Sequence, residues 1–209
     1  MFRIVGKSRF SENVYRLDLE APRIAKARRP GHFVIVRTGS EGERIPLTIA
    51  DADPDTGIIM LVIQAVGPST REICALEPGD CFNDVVGPLG RATDIRKRGT
   101  VVCCGGGVGV APLLPIVRAM KEAGNRVVSV LAARTRDLII LEDEIRRSSD
   151  DVIIMTDDGS YGHKGLVTQG VEDVLIREQV DEVVTIGPAI MMKFVADLTR
   201  RYDVPTICS

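Results

Sequence analysis

The stretch VVCCGGGVGVAP, residues 101–112, places four glycines within five positions, directly behind an apolar β-branched run. A strand ending in such a turn and leading at once into an apolar segment opens a parallel β-α unit. The turn sets backbone N–H groups and a helix N-terminus at the carboxyl edge of a sheet, where an anion such as a diphosphate binds. Gly105, Gly106 and Gly107 let the chain turn and let a ligand touch main chain, while Gly109 lets helix and strand pack closely. Pro112 falls in the first helical turn, where no N–H partner is lost. The string departs from G-x-G-x-x-G, because position 110 is Val, and it is not a P-loop, because no Gly-Lys-Ser/Thr follows. A tight structural turn is the alternative reading.

The segments that follow repeat this pattern. Strands are expected at TVVCC (100–104), RVVSVLAA (126–133), DVIIMT (151–156), EVVTIG (182–187) and VPTIC (204–208). Helices are expected at 111–123, 141–148, 168–179 and 189–201. Strands that are apolar without alternation are buried on both faces, the mark of a parallel sheet. Residues 1–96 have another texture. NVYRLDLEA (13–21), HFVIVRTG (32–39) and IIMLVIQAVG (58–67) are β-rich, and Pro30-Gly31, Asp53-Pro54-Asp55 and Pro78-Gly79 punctuate them. An antiparallel sandwich or small barrel is predicted there. The charged stretch RATDIRKRG (91–99) reads as the linker, which sets domains at 1–96 and 97–209.

Composition narrows the function classes. Of 209 residues, 44% are hydrophobic and 27% charged, so a packed core is expected and disorder is not. A net charge of -2 offers no basic face for nucleic acid. No apolar run nears the roughly 20 residues of a membrane helix, so no membrane partner is expected. The start, MFRIVGKSRF, lacks the apolar region of a signal peptide, and a cytoplasmic protein is expected. Cys74, Cys81, Cys103, Cys104 and Cys208 include no C-x-x-C pair, so neither a disulfide framework nor a zinc site is supported. Cys103 and Cys104 read as buried small hydrophobes. His32 and His163 read as structural or solvated.

Two stretches in the first half carry chemistry. ERIPLTIAD (43–51) sets Arg44, Pro46 and Thr48 in a strand-like run. Pro46 interrupts a ladder and belongs at an edge or bulge, where backbone is free to meet a ligand. Arg44 suits a phosphate and Thr48 a ring nitrogen; an ordinary barrel strand is the alternative. In VGPSTREICAL (66–76), Gly67-Pro68 breaks the chain, Ser69 or Thr70 reads as an N-cap, and Glu72 falls near N3. This is a second helix N-terminus suited to a diphosphate, with Arg71 beside it; plain capping is the alternative. Two anion sites, one per domain, suggest two nucleotides.

Taken together, the Arg-x-Pro-x-Thr run, the G-x-S-T helix start, G-G-G-x-G-x-A-P and a late Gly-Pro resemble the ferredoxin–NADP reductase superfamily over essentially the whole chain. RIPLTIAD, ARTRDLIILEDE (133–144), TDDGSYGHKG (156–165) and GPAIMMKFV (187–195) resemble one branch of it most. That branch holds the electron-transfer subunit of dihydroorotate dehydrogenase B, of pyrimidine biosynthesis, and the small subunit of NADH-dependent ferredoxin:NADP oxidoreductase. The resemblance implies an antiparallel FAD-binding β-barrel, residues 1–96, followed by a Rossmann-like NAD(P)-binding α/β domain, residues 97–209. Arg44, Pro46, Leu47 and Thr48 would line the flavin, with Thr48 tuning it as the catalytic group. Ile63, Gln64, Ala65 and Val66 would run past its ring and ribityl chain. Gly67, Ser69 and Thr70 would hold the FAD diphosphate, and Gly106, Gly107, Val108 and Gly109 that of NAD(P)H. Gly187, Pro188 and Met191 would lie by the nicotinamide half.

The resemblance implies electrons passing from NADH through FAD to a [2Fe–2S] cluster and a larger partner. That partner is a dihydroorotate dehydrogenase or a glutamate-synthase-like flavoprotein, with ferredoxin as a further one. A stand-alone NAD(P)H-flavin or ferredoxin reductase and a non-catalytic nucleotide-sensing module are the rival readings. Three features depart from the family. Proline replaces its usual aromatic at 46, and Ile186 replaces the cysteine that often precedes the late Gly-Pro. The four-cysteine segment that binds the cluster would begin where this chain stops, at VPTICS, so a chain cut short is expected and no metal ligand is assigned. For nucleotide choice, NADPH-using relatives present Ser and Arg after the third strand, whereas here Thr156 is followed by Asp157 and Asp158. Carboxylates repel a 2′-phosphate and accept from ribose hydroxyls, which favours NADH over NADPH. Arg134 argues the other way, and an Asp-Gly turn is the structural alternative.

Overall fold

A computed structural model describes residues 2–209. The chain divides into two compact units, one ending at Thr93 and the other spanning Asp94–Ser209. The first contains β1 (Phe2–Ser11), β2 (Val14–Glu20), α1 (Pro22–Ala27), β3 (Phe33–Arg37), β4 (Ile45–Asp53), β5 (Ile58–Gln64), α2 (Pro68–Ala75), β6 (Cys81–Phe82) and β7 (Asp84–Leu89). Its strands form one antiparallel sheet of order β6-β1-β2-β5-β4-β3-β7. The two outermost strands are separated in sequence only by Asn83, so the sheet curls into a nearly closed barrel. Alternate side chains point inward, and Leu17, Leu19, Val34, Val36, Ile59, Leu61 and Phe82 build the core.

Strand β4 changes partner midway. Residues 45–48 pair with β3 (Ile35↔Pro46, Phe33↔Thr48), whereas pairing with β5 begins only at Ile49. Because the Ile49 N–H donates to the His32 carbonyl, the antiparallel alternation turns the main-chain groups of residues 46 and 48 away from β3. Pro46 thus occupies a position whose missing N–H costs the ladder nothing. In the sheet order β4 is interior, yet its first four residues behave as an edge, which is how the chain accommodates the proline.

The second unit contains β8 (Thr100–Gly106), α3 (Val110–Glu122), β9 (Arg126–Ala133), α4 (Glu142–Ser148), β10 (Asp151–Thr156), β11 (His163–Lys164), α5 (Val167–Arg177), β12 (Glu182–Ile186), α6 (Ala189–Arg200) and β13 (Thr206–Cys208). Its parallel sheet runs β11-β10-β9-β8-β12-β13. Strand β8 continues two residues beyond the expected 100–104: Gly105 pairs with Leu131 and Ile186, and Gly106 with Ala132. These glycines belong to the ladder, and the turn proper is a 3-10 turn over Gly107–Gly109. Gly105 is a glycine because α3 lies on it, with Leu113 and Val110 at 3.0 and 3.1 Å from where a Cβ would be.

The segment entering β8 is fixed at the amino edge of this sheet. The buried Asn125 side chain accepts from the N–H groups of Arg98 (2.6 Å) and Gly99 (3.1 Å). It donates to the carbonyls of Arg96 (3.0 Å) and Met120 (2.8 Å). Asp181 accepts from the Thr100 N–H, and the Arg98 guanidinium lies 3.3 Å from the buried Glu182 carboxylate. Burial pushes the Glu182 carboxyl up, against the pull of Arg98. Among the described residues no helix is long and apolar enough to cross a membrane.

Candidate functional site

In the barrel unit, two of the motifs singled out from the sequence meet. Glu43, at the mouth of the Arg44–Thr48 run, accepts a hydrogen bond from the Ser69 hydroxyl at the start of α2. Arg44 and Pro46 are exposed, and Leu47 and Thr48 are half-buried. Among the described residues neither the Arg44 guanidinium nor the Thr48 hydroxyl has a hydrogen-bond or ion-pair partner, so both are free to serve a ligand.

The α2 start differs from the expected cap. Pro68 takes the first helical position and Gly67 becomes the N-cap, so the helix begins before Ser69. The fixed φ of proline is preorganised for that position, which decides the register. The Thr70 hydroxyl then locks the turn, accepting from the N–H groups of Val66 and Gly67, each at 3.0 Å. Glu72 does not cap either; it accepts from the Thr38 hydroxyl at 2.6 Å. The Ser69 and Thr70 N–H groups lie in the first turn, which has no intrahelical acceptors for them. A Cβ at Gly67 would meet nothing within 4 Å, so the turn is open on that side. Ile63 is only 1% exposed and belongs to the core, so of the expected 63–66 run its side chain faces away from any ligand. Val66, by contrast, is exposed.

In the second unit, β8 and β12 are neighbours whose following helices leave toward opposite sides of the sheet order. Their carboxyl ends therefore flank a topological switch point, the usual crevice of an open α/β sheet. Gly106, Gly109, Gly187, Pro188 and Met191 meet there. A Cβ at Gly109 would lie 2.5 Å from the Ile186 carbonyl oxygen and 2.8 Å from the Gly187 Cα. Close packing of helix and strand is therefore the role of Gly109. The Met191 thioether rests on Gly106 and Gly187, with its methyl 2.7 Å from a Cβ built at Gly187. Gly107 is different: its φ is +55° and the space beside it is open. Val108 and Gly107 carry the turn into α3, whose first N–H, that of Val110, donates back to the Gly107 and Val108 carbonyls of the turn.

At the carboxyl ends of β9 and β10, the Asp157 N–H donates to the Ala133 carbonyl (3.1 Å) and that of Asp158 to the Arg134 carbonyl (3.3 Å). Arg134, Asp157 and Asp158 are thus brought together, all exposed. They do not share one task. The Asp158 carboxylate accepts from the Ser160 hydroxyl at 2.7 Å and N–H at 2.9 Å, and these bonds hold its pKa below the ordinary range. Asp158 is an ionised turn residue, whereas the Asp157 carboxylate has no side-chain partner among the described residues. Sequence reasoning missed the pair beside it: the Arg136 guanidinium stacks on the Tyr161 ring, 5.2 Å from its centroid. Only the nearness of ARTRD and DDGSY to strand ends hinted at it.

The cysteines do not fit a four-thiolate cluster. Cys103 and Cys104 are consecutive on β8 and so face opposite sides of the sheet; both are fully buried. Burial pushes the Cys104 thiol up to about 12, and that of Cys103 higher still. Both behave as the small hydrophobes the sequence suggested. Cys74 is buried in the barrel unit, whereas Cys208 is exposed at the end of β13.

The oxidoreductase NAD-binding domain family matches residues 103–197. The dihydroorotate dehydrogenase B (NAD(+)) electron transfer subunit homolog of Thermotoga maritima is 44% identical over 202 residues, covering 97% of this chain and 71% of that relative. The corresponding electron transfer subunit of Desulforamulus reducens is 32% identical over 197 residues, covering 92% of this chain and 75% of its own length. A solved structure of an NADH-dependent reduced ferredoxin-NADP oxidoreductase, studied for flavin-based electron bifurcation, superposes with a TM-score of 0.95 at 42% identity, covering 100% of this chain and 75% of that one. The cytochrome b5 reductase domain of Ulva prolifera nitrate reductase shares the fold alone, with a TM-score of 0.73 at 18% identity. Barrel, switch-point crevice and relatives agree: the chain belongs to the electron transfer subunits of the dihydroorotate dehydrogenase B type, oxidoreductases of the ferredoxin reductase-like, FAD- and NAD-binding family.

Proposed function

We propose that residues 1–96 form the FAD-binding domain and 97–209 the NAD-binding domain of a cytoplasmic subunit. It takes electrons from NADH and hands them on to an iron–sulfur cluster and a larger catalytic partner, a dihydroorotate dehydrogenase or a related flavoprotein. The observation that carries the reading is the meeting of the Arg44–Thr48 run with the open α2 start through Glu43 and Ser69. That contact brings the Arg44–Thr48 run to the first-turn N–H groups of α2, and it is this nearness of cation and helix start, not the Glu43 carboxylate, that suits a dinucleotide flavin. When bound, FAD supplies hydride acceptance and one-electron release.

The chain's own residues bind and orient. Arg44 neutralises phosphate, and the N–H groups of Ser69 and Thr70 with the Ser69 hydroxyl receive the diphosphate. Leu47 and Pro46 offer apolar surface, and the main chain of Gln64, Ala65 and Val66 borders the flavin. The Thr48 hydroxyl would serve as a hydrogen-bond donor to the flavin ring. Thr48→Ala is expected to slow flavin reduction about tenfold, the worth of one well-placed hydrogen bond, while FAD affinity changes less. Stopped-flow reduction beside a binding titration checks this, and equal rates would remove the role.

In the second unit the Gly106–Gly109 turn and the α3 start receive the NADH diphosphate, with Gly187, Pro188 and Met191 bordering its nicotinamide half. Asp157 accepts from a ribose hydroxyl, while ionised Asp158 adds negative charge beside it and disfavours a 2′-phosphate. The deciding measurement is an anaerobic titration of the purified protein with NADH and, separately, NADPH, following the visible flavin band. Bleaching by NADH at far lower concentration is expected. Preference for NADPH would transfer the second site to Arg134. A colourless protein that cannot be reconstituted with FAD would leave a nucleotide-sensing module as the better reading.

A further inference from the structure

We infer that Glu43 is a built-in counter-anion of the barrel unit's dinucleotide site, and that it holds down the affinity for FAD by competing with the diphosphate for the start of α2. This rests on the reading that the FAD diphosphate binds at Gly67–Thr70.

The donor inventory at that turn is short. The Thr70 hydroxyl is committed to the turn itself, accepting from Val66 and Gly67 and donating to the Gly67 carbonyl at 3.1 Å. The first-turn N–H groups of Ser69 and Thr70 and the Ser69 hydroxyl are left for an anion. Glu43 takes the Ser69 hydroxyl. The contact is one half of a reciprocal pair: the loop between β3 and β4 gives Glu43 to α2, and α2 gives Glu72 back to Thr38 of that loop. The loop is thereby stapled to the helix by two carboxylate–hydroxyl bonds.

The choice of partner is informative. Arg44 is the next residue in the chain and Arg71 lies in the first turn of α2, and both are exposed. Neither arginine has an ion-pair partner among the described residues. Glu43 pairs with neither of them. Glu43 instead sits at the positive end of the helix. Two cations remain available to an incoming diphosphate, and one anion stands in its way. The diphosphate must either take the Ser69 hydroxyl from Glu43 or bind beside an uncompensated like charge.

Glu43→Gln separates charge from hydrogen bonding, because the amide oxygen still accepts from Ser69. The test uses the full chain stripped of flavin and measures FAD binding by flavin fluorescence at low and high salt, together with the melting midpoint of the flavin-free protein. The expected result is FAD binding about tenfold tighter in Glu43→Gln at low salt, a gap that narrows at high salt, with a lower flavin-free midpoint. Glu41→Gln, in the same loop at a residue with no side-chain partner among those described, should match wild type in both. The opposite signs are the signature, since a purely structural role would weaken binding and stability together. Unchanged or weaker FAD binding in Glu43→Gln overturns the inference and leaves the FAD site standing. Failure of every variant and of wild type to bind FAD overturns both.

Discussion

Gly109→Ala is expected to abolish efficient reduction by NADH while leaving the barrel unit intact. The added methyl would sit 2.5 Å from the Ile186 carbonyl oxygen and 2.8 Å from the carbonyl carbon and the Gly187 Cα, all backbone atoms. A carbon–oxygen contact closes comfortably at about 3.3 Å, so the start of α3 and the end of β12 must part by roughly 1 Å. Overpacking of this kind costs about 1–3 kcal/mol of stability. The larger effect is on chemistry, since a misplacement of about 1 Å can cost a hundredfold in rate. Gly109 has an ordinary helical φ of -62°, so nothing but this collision forbids alanine there. Gly107 is the opposite case, with a φ of +55° and open space. Its replacement by alanine costs about 1 kcal/mol of backbone strain and no collision. Chemical denaturation of both variants, with NADH affinity measured alongside, checks the pair. A Gly109→Ala protein that binds NADH as wild type would show that the crevice is not set by this contact.

The second large effect is expected from Asn125→Ala, a loss of about 3–5 kcal/mol in the unit spanning Asp94–Ser209. The side chain is 3% exposed and satisfies four main-chain groups from two segments, residues 96–99 and α3. Its removal strands those donors and acceptors in a space too small for full hydration, and each such orphan costs about 1–3 kcal/mol, less than additively. Urea unfolding monitored on the second unit reads the loss, and a change below about 1 kcal/mol would show that water replaces the amide. NADH affinity at saturating stability should be untouched, because Asn125 lies at the far edge of the sheet from the glycine turn.

The sequence foretold the α/β unit closely because its strands are uninterrupted apolar runs and its helices carry a clean apolar stripe. RVVSVLAA and DVIIMT match β9 and β10 residue for residue. The barrel was harder to read. FRIVGKSRFS carries little alternation and β1 is irregular, with register shifts on either side of its middle, so no strand was anticipated there. A two-residue β6 and a β7 containing Gly87-Pro88 leave no periodicity to detect. Of the candidate site, glycines and turn residues were legible because they answer to backbone geometry. Side chains whose meaning depends on a distant partner were not. Asn125 and Glu43 carried no local signal, because their partners lie in the segment entering β8, in α3 and in α2. The misplaced α2 cap has the same origin, since Ser69 and Thr70 are good caps in isolation and only the register imposed by Pro68 moves them inward.

The parallel sheet keeps its two responsibilities at opposite rims of the same strands. Every feature proposed to face a ligand, from Gly106 to Met191 and from Arg134 to Asp158, arises where strands end. The ties that close the fold, Arg98, Asn125, Asp181 and Glu182, gather where they begin. A strand five to eight residues long separates the two sets, so substitutions at one rim need not be compensated at the other. Descendants of such a chain are free to drift from one pyridine nucleotide to another, or to reshape the crevice for a different partner, while inheriting the scaffold unchanged.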